Sequence, residues 1–293
     1  MKALPQWLWF AGWFASMPAV AEPISWFSDA GKTNVESGGA AMAAGFQFEL
    51  GVFRNGFIPA LSNMADWRSN WEVADSTTYH PATQRFAGSM MVDDNDPPFI
   101  NGAKAWIFGF RDTATASEWV LFRNPGWLWP RSNPMNPPVI EWNAKDATEV
   151  VVGSVTATGS PFLMKSAEVQ SYSQWQAHHL AGEPLSGAGD DPDHDGIPNL
   201  TEFVFGTPPL SAGEPTAMPV ELVSGHLQIT VPCRVDRLAR VVVEVSDNLA
   251  NWQSGDSHTQ TISDGPVSLV VRDLTALDAA HPKRFVRLKV SLP

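Results

Sequence analysis

Apolar and polar residues alternate with a period of two over much of this chain. Phe46, Phe48, Leu50 and Val52 are apolar, while Gln47, Glu49 and Gly51 separate them. That spacing predicts a strand buried on one face. Residues 105–110 and 118–122 predict two more strands, joined by a polar connection over 111–117, and 139–142 and 150–152 predict a further pair. Asn55-Gly56 is a turn signal. The β pattern returns after Pro219, at 227–231, 241–245 and 267–271. It ends with Val286, Leu288 and Val290 pointing one way and Arg287 and Lys289 the other. Short strands punctuated by Gly, Pro and Asn predict a mainly β protein made of two β-sandwich-like domains.

Between the two β regions the period changes. Over 168–180, Val169, Tyr172, Trp175, Gln176 and His179 share one stripe, which predicts a helix stopped near Gly182. A second short helix is expected over 200–205. Gly206 ends it, and Thr207-Pro208-Pro209 cannot extend it. The expected layout is a signal peptide (1–21), an N-terminal β-sandwich-like domain (22–165), a short helical linker (166–216) that carries an acidic loop at 191–202, and a small C-terminal β-sandwich domain (217–293).

The acidic loop is the run between the two helices. With Asp191 at the first position of a twelve-residue loop, Asp193 and Asp195 fall at the third and fifth. Gly196 allows the sharp turn at the sixth, and Ile197 offers a backbone carbonyl at the seventh. Asn199 stands at the ninth and Glu202 at the twelfth, where it can be bidentate. All of these donors are oxygens, a set suited to hard cations and not to zinc or copper. His194, at the fourth position, is expected to face solvent. Ca²⁺ is therefore the expected cofactor.

This loop resembles the dockerin and thrombospondin type-3 kind of calcium repeat. A wider block, from Tyr172-Ser173-Gln174-Trp175 through the loop to Gly206-Thr207-Pro208, resembles a module common in large secreted bacterial proteins. There it typically precedes a small β domain. Val243-Glu244-Val245-Ser246-Asp247, Asn251-Trp252 and the ending Arg284-Phe285-Val286-Arg287-Leu288 are similar to that domain. The resemblance covers about residues 168–293. It implies secretion, calcium binding and a modular layout, and no catalytic activity. Three features depart from a paired EF-hand or a dockerin. The chain has one such loop, well separated from the preceding helix, and Pro198 occupies the eighth position, where a second loop would pair. A static structural site is expected, with no cohesin partner.

The start of the chain fits export. Lys2 precedes an apolar run, and Ala19-Val20-Ala21 forms a small-x-small cleavage site. A retained anchor is the alternative; after cleavage no membrane span is expected. The formal net charge of −12 argues against nucleic acid and anionic membrane as partners. Cys233 is the single cysteine, so no internal disulfide can form. Asp93, Asp94, Asn95 and Asp96 form a second acidic cluster without a glycine or distal glutamate, and a turn is the expected reading. His178 and His179 are adjacent, so on a helix they cannot serve one metal.

Most of the tryptophans in the first β region are expected in its core. Trp127 and Trp129, in a Pro/Asn-rich surround, are the pair expected to present a ligand-binding face. Glu49, Glu118 and Glu141 could pair as glycosidase carboxylates, with nothing to select two of them. No Gly-x-Ser-x-Gly, phosphate-loop or His-Glu-x-x-His motif occurs. The chain thus reads as a secreted or cell-surface, non-catalytic, calcium-binding modular protein. Its N-terminal domain would serve surface recognition or assembly, with extracellular polysaccharide or cell-surface components as partners. A carbohydrate-binding module and a glycan-active enzyme stand as alternatives.

Overall fold

The computed structural model describes residues 22–292, apart from 93–94, 115, 132–138, 157–162, 214–215, 235 and 266. The expected signal segment, its cleavage site at Ala21, and Asp93 and Asp94 lie outside the described residues. The protein is mainly β, as its alternation predicts. The first part of the chain forms β1 (Glu22–Phe27), β2 (Asn34–Val35), β3 (Gln47–Phe53), β4 (Trp71–Thr78), β5 (Ala87–Val92) and β6 (Ala105–Asp112). It continues with β7 (Ser117–Arg123), β8 (Ile140–Asn143), β9 (Glu149–Val152), β10 (Ser154–Val155), β11 (Met164–Lys165) and β12 (Ala167–Val169). A short helix, α1 (Trp67–Asn70), precedes β4.

The central sheet runs β12-β7-β6-β3-β4, with β9 also paired to β7. The hairpin expected at 105–122 is present, with Asp112 opposite Ser117. One face of this sheet packs against the three-stranded sheet β5-β1-β8. Phe46, Phe48, Leu50 and Val52 lie there with Ile24, Trp26, Phe86 and Trp142, all buried. Each such large side chain contributes roughly 1.5–3 kcal/mol when removed from water. Gly109 on β6 is required by this packing, since a Cβ there would lie 2.5 Å from the Phe48 ring.

The opposite face is apolar too, because β6 and β7 are buried on both sides. Trp106, Phe108, Phe110, Trp119 and Leu121 project there and are covered by the segment between β3 and β4. Trp67 stacks on Trp119 at 5.8 Å between ring centroids, and Met64 joins the same cluster. The Arg68 guanidinium lies 3.7 Å from the centre of the Phe110 ring.

The remaining helices are α2 (Tyr172–His179) and α3 (Asn199–Phe205). Helix α2 starts later than the stripe predicts. Glu168 and Val169 instead extend β12, pairing with Glu118 and Ser117 on the edge of β7. The helix begins where Ser171 caps it: Gln174 N–H donates to the Ser171 hydroxyl and Gln174 Oε1 accepts from Ser171 N–H. Helix α3 ends at Gly206 with φ 74°, as expected.

The chain then forms β13 (Val220–Val223), β14 (His226–Pro232), β15 (Arg240–Ser246), β16 (Thr259–Asp264), β17 (Ser268–Ala276) and β18 (Phe285–Ser291). The sheet β13-β14-β17-β16 packs against the pair β15-β18 around Ile229, Val231, Val243, Leu269 and Val271. The later strands also hold the earlier ones. Arg240 Nε donates to Asp66 Oδ2 at 3.0 Å, Ser62 N–H donates to Asp264 Oδ2 at 3.0 Å, and Leu238 joins the tryptophan cluster beneath α1. No helix among the described residues is long and apolar enough to cross a membrane.

Candidate metal centre

Helix α3 positions the distal half of the acidic loop. Its apolar face, Phe203 and Val204, packs with Tyr172 and Trp175 of α2 and with Ala239 just before β15. That packing fixes the rotation of the helix and turns Asn199 and Glu202 inward, where they are 0% and 1% exposed. Polar groups buried to this degree are ordinarily hydrogen-bonded.

The proximal half folds around its own carboxylates. Asp191 Oδ2 accepts Gly196 N–H at 2.9 Å, Asp193 Oδ1 accepts Asp195 N–H at 3.2 Å, and Asp195 Oδ1 accepts Ile197 N–H at 2.8 Å. Each aspartate therefore spends one oxygen on the loop. Gly196 takes φ 89°, the left-handed conformation the sixth position needs. His194 is exposed, as expected, with φ 61°. One ligand atom from each of Asp191, Asp193 and Asp195 lies within 4.8 Å of the other two.

Four buried oxygens of this loop are left without a hydrogen-bond partner: Asp191 Oδ1, Asp193 Oδ2, Asn199 Oδ1 and Glu202 Oε2. The nitrogen of the Asn199 amide, by contrast, is fully used, donating to Leu185 O at 3.0 Å and Gly187 O at 2.9 Å. This fixes the amide so that its oxygen faces away from those carbonyls. Burial, with the charges of Asp193, Asp195 and Asp191, pushes the Glu202 carboxyl up to about 7. The aspartates thus crowd the glutamate four residues into the helix, and the site holds more negative charge than it can balance. A cation coordinated by oxygen relieves both the charge and the unpaired acceptors, so the residues fit Ca²⁺ on their chemistry.

Of the six expected ligand residues, Asp191, Asp193 and Asp195 are brought together and their charges act on Glu202, while Asn199 is enclosed with its amide nitrogen on Leu185 and Gly187. Ile197 contributes an observed backbone N–H contact to Asp195. Sequence spacing did not reveal the support behind the loop. Asp190 O accepts Asn199 N–H at 2.8 Å, and Asp190 Oδ2 accepts Gly187 N–H at 2.8 Å. Asp190 holds the 185–190 turn against α3 and so belongs to the scaffold. The only signal of this was its place at the head of the acidic run. Asn199-Leu200-Thr201 also matches the N-glycosylation pattern, but its asparagine is fully buried.

The expected Trp127/Trp129 ligand face is corrected. Trp127 is 5% and Trp129 2% exposed. The two do share one side, but it faces inward. The segment pairs with residues 103–105, with Trp129 N–H donating to Ala103 O and Ala105 N–H donating to Trp127 O. Both indoles therefore enter the core near Trp142, at centroid distances of 6.1 and 6.2 Å, while Leu128 faces out.

The three glutamates take separate roles. Glu118 accepts from Ser37 and Ser166 and ties two loops to β7. Glu49 accepts the Trp71 indole N–H at 2.8 Å and pairs with Arg68. Glu141 sits on β8, in a different sheet. Cys233 is half-buried, and burial pushes its thiol up to about 11, which keeps it protonated. His178 and His179 are both exposed on the last turn of α2. No protein-family model, no curated protein and no solved structure matches this chain.

Proposed function

We propose that the protein is a secreted, non-catalytic, modular calcium-binding protein whose N-terminal β domain serves surface recognition or assembly. In this reading, Ca²⁺ held by Asp191, Asp193, Asp195, Ile197, Asn199 and Glu202 clamps the linker between the two β regions. The observation that carries the calcium site is the set of four buried, unpartnered oxygens converging on one loop, with Asn199 and Glu202 fully enclosed. Each would cost roughly 1–3 kcal/mol if left unsatisfied, so an ordered loop calls for a partner.

The clamp reading is supported by what α3 touches. The same short helix bears Asn199 and Glu202 on one side and packs on α2 and the start of β15 with the other. Helix α2 in turn reaches the first β region, with Gln174 Nε2 donating to Thr113 O at 3.0 Å. Export is supported by the leader-like first 21 residues of the sequence. A calcium site of this donor set has an affinity on the order of 10⁻⁴–10⁻³ M in extracellular modules, where calcium is abundant.

Thermal melting and limited proteolysis, in millimolar calcium and in excess chelator, test the proposal. At about 10 mM calcium, roughly 10–100 times that Kd, the ion contributes about 1.4–2.7 kcal/mol, so the melting temperature falls by roughly 3–10 °C on chelation. Cleavage then appears within the loop. An identical melt and digest in both conditions would refute calcium binding at this site.

A further inference from the structure

A cleft of about 520 Å³ opens on the first β region, far in sequence from the acidic loop. Its floor is aromatic: Phe53 at the end of β3 and Trp106 on β6 meet edge to face at 6.1 Å, and Phe57 packs 5.4 Å from Phe53. The turn after β3 supplies one wall through Ile58, and the segment before β6 supplies the other through Ile100 and two prolines. Ile58 is 72% and Ile100 51% exposed, so two large aliphatic side chains stand in solvent on either side of the same opening. A cavity of roughly 300–1,000 Å³, mainly apolar with a few polar groups, is the usual form of a small-molecule site.

The polar groups set the kind of molecule. Among the described residues Lys104 is the one charged residue lining the cleft, and none of them that lines it is acidic, in a chain with 31 acidic and 19 basic residues. The Lys104 ammonium, the Asn55 side chain and the Trp106 indole N–H have no hydrogen-bond or ion-pair partner among the described residues. The lysine and the indole are donors only, and the amide supplies further donors. The cleft thus offers an unused cation and neutral donors beside an apolar floor.

We propose that this cleft binds a free, small monoanionic amphiphile, with an apolar body on Phe53, Phe57 and Trp106 and a carboxylate or sulfonate head at Lys104. A sugar fits the lining poorly. Most of its hydroxyls would meet isoleucine and proline side chains and lose their hydrogen bonds to water without replacement. A fatty acid or an aromatic acid loses far fewer, since its single polar head meets the lysine.

Fluorescence titration of the full calcium-loaded chain with 1-anilinonaphthalene-8-sulfonate tests this. The neutral N-phenyl-1-naphthylamine, which has the same rings without the sulfonate, serves as the comparison probe, and dodecanoate as competitor. The expected result is one saturable site for the sulfonate, emptied by dodecanoate. Lys104→Gln weakens sulfonate binding about fivefold and leaves the neutral probe within twofold. Ile58→Glu, at a solvent-exposed position that leaves the melting temperature unchanged, weakens both probes by about tenfold or more. Absence of a saturable site, or Ile58→Glu binding like the wild type, overturns the proposal. An equal response of both probes to Lys104→Gln overturns the anionic head. A dimer in sedimentation that Ile58→Glu dissociates overturns it too, by assigning the cleft to a second copy of the chain.

Discussion

Replacing Asn199 with alanine separates the structural work of this side chain from metal binding, because its two polar atoms have different jobs. The nitrogen donates to Leu185 O and Gly187 O, contacts that involve no cation. The oxygen has no partner in the protein. In chelator, only the nitrogen's work is lost. Two hydrogen bonds worth about 1 kcal/mol each disappear, and Leu185 O loses its partner while Gly187 O keeps Asp190 N–H, so the expected destabilisation is about 2–3 kcal/mol. In saturating calcium the variant also loses one ligand. Each tenfold loss of affinity is worth about 1.4 kcal/mol and appears in full when calcium far exceeds the Kd. The assay is a pair of melts, wild type and Asn199→Ala, each in calcium and in chelator. The variant's deficit should be larger in calcium by about 3–6 °C for each tenfold of lost affinity. An equal deficit in both conditions would show that Asn199 Oδ1 is not a ligand and that the amide only buttresses the 185–187 turn.

Two other substitutions read different parts of the molecule. Asp193→Asn removes one of the charges that crowd Glu202, so it should raise the melting temperature in chelator and lower it in calcium; the same direction in both conditions would contradict a shared cation. Trp129→Ala removes a core indole and should cost about 3–5 kcal/mol in denaturant unfolding, whereas a change below 1 kcal/mol would mean that the side chain is not packed.

The residues that could be read from the sequence were those whose pattern is local. Phe46 to Val52 gave a strand by alternation, and Gly206 ended α3 because a left-handed residue was needed there. The spacing of Asp191, Asp193 and Asp195 around Gly196 led to three carboxylates that do converge. Long-range contacts decided the rest. Glu168 and Val169 carry part of a helical stripe, but the open edge of β7 draws them into a strand. For Trp127 and Trp129 the two-residue spacing correctly put both indoles on one side. Only the pairing with 103–105 decides that this side is the interior. The aromatic cleft had no sequence signal at all, since Phe53, Phe57 and Trp106 come from separate segments and their meeting depends on how β3 and β6 align.

The ion pair between Asp66 and Arg240 joins residues 174 positions apart, and that span bears on the order in which the chain matures. A ribosome delivers the first β region well before β15 exists, and domains generally fold as they emerge. Until then the segment over Trp67 and Trp119 has neither Arg240 nor Leu238 to hold it. The nascent protein therefore passes through an interval in which this aromatic cluster lacks its outer fastening. A chain that stalls or is cut before residue 240 would keep its central sheet and expose tryptophan, a state that chaperones and proteases would recognise.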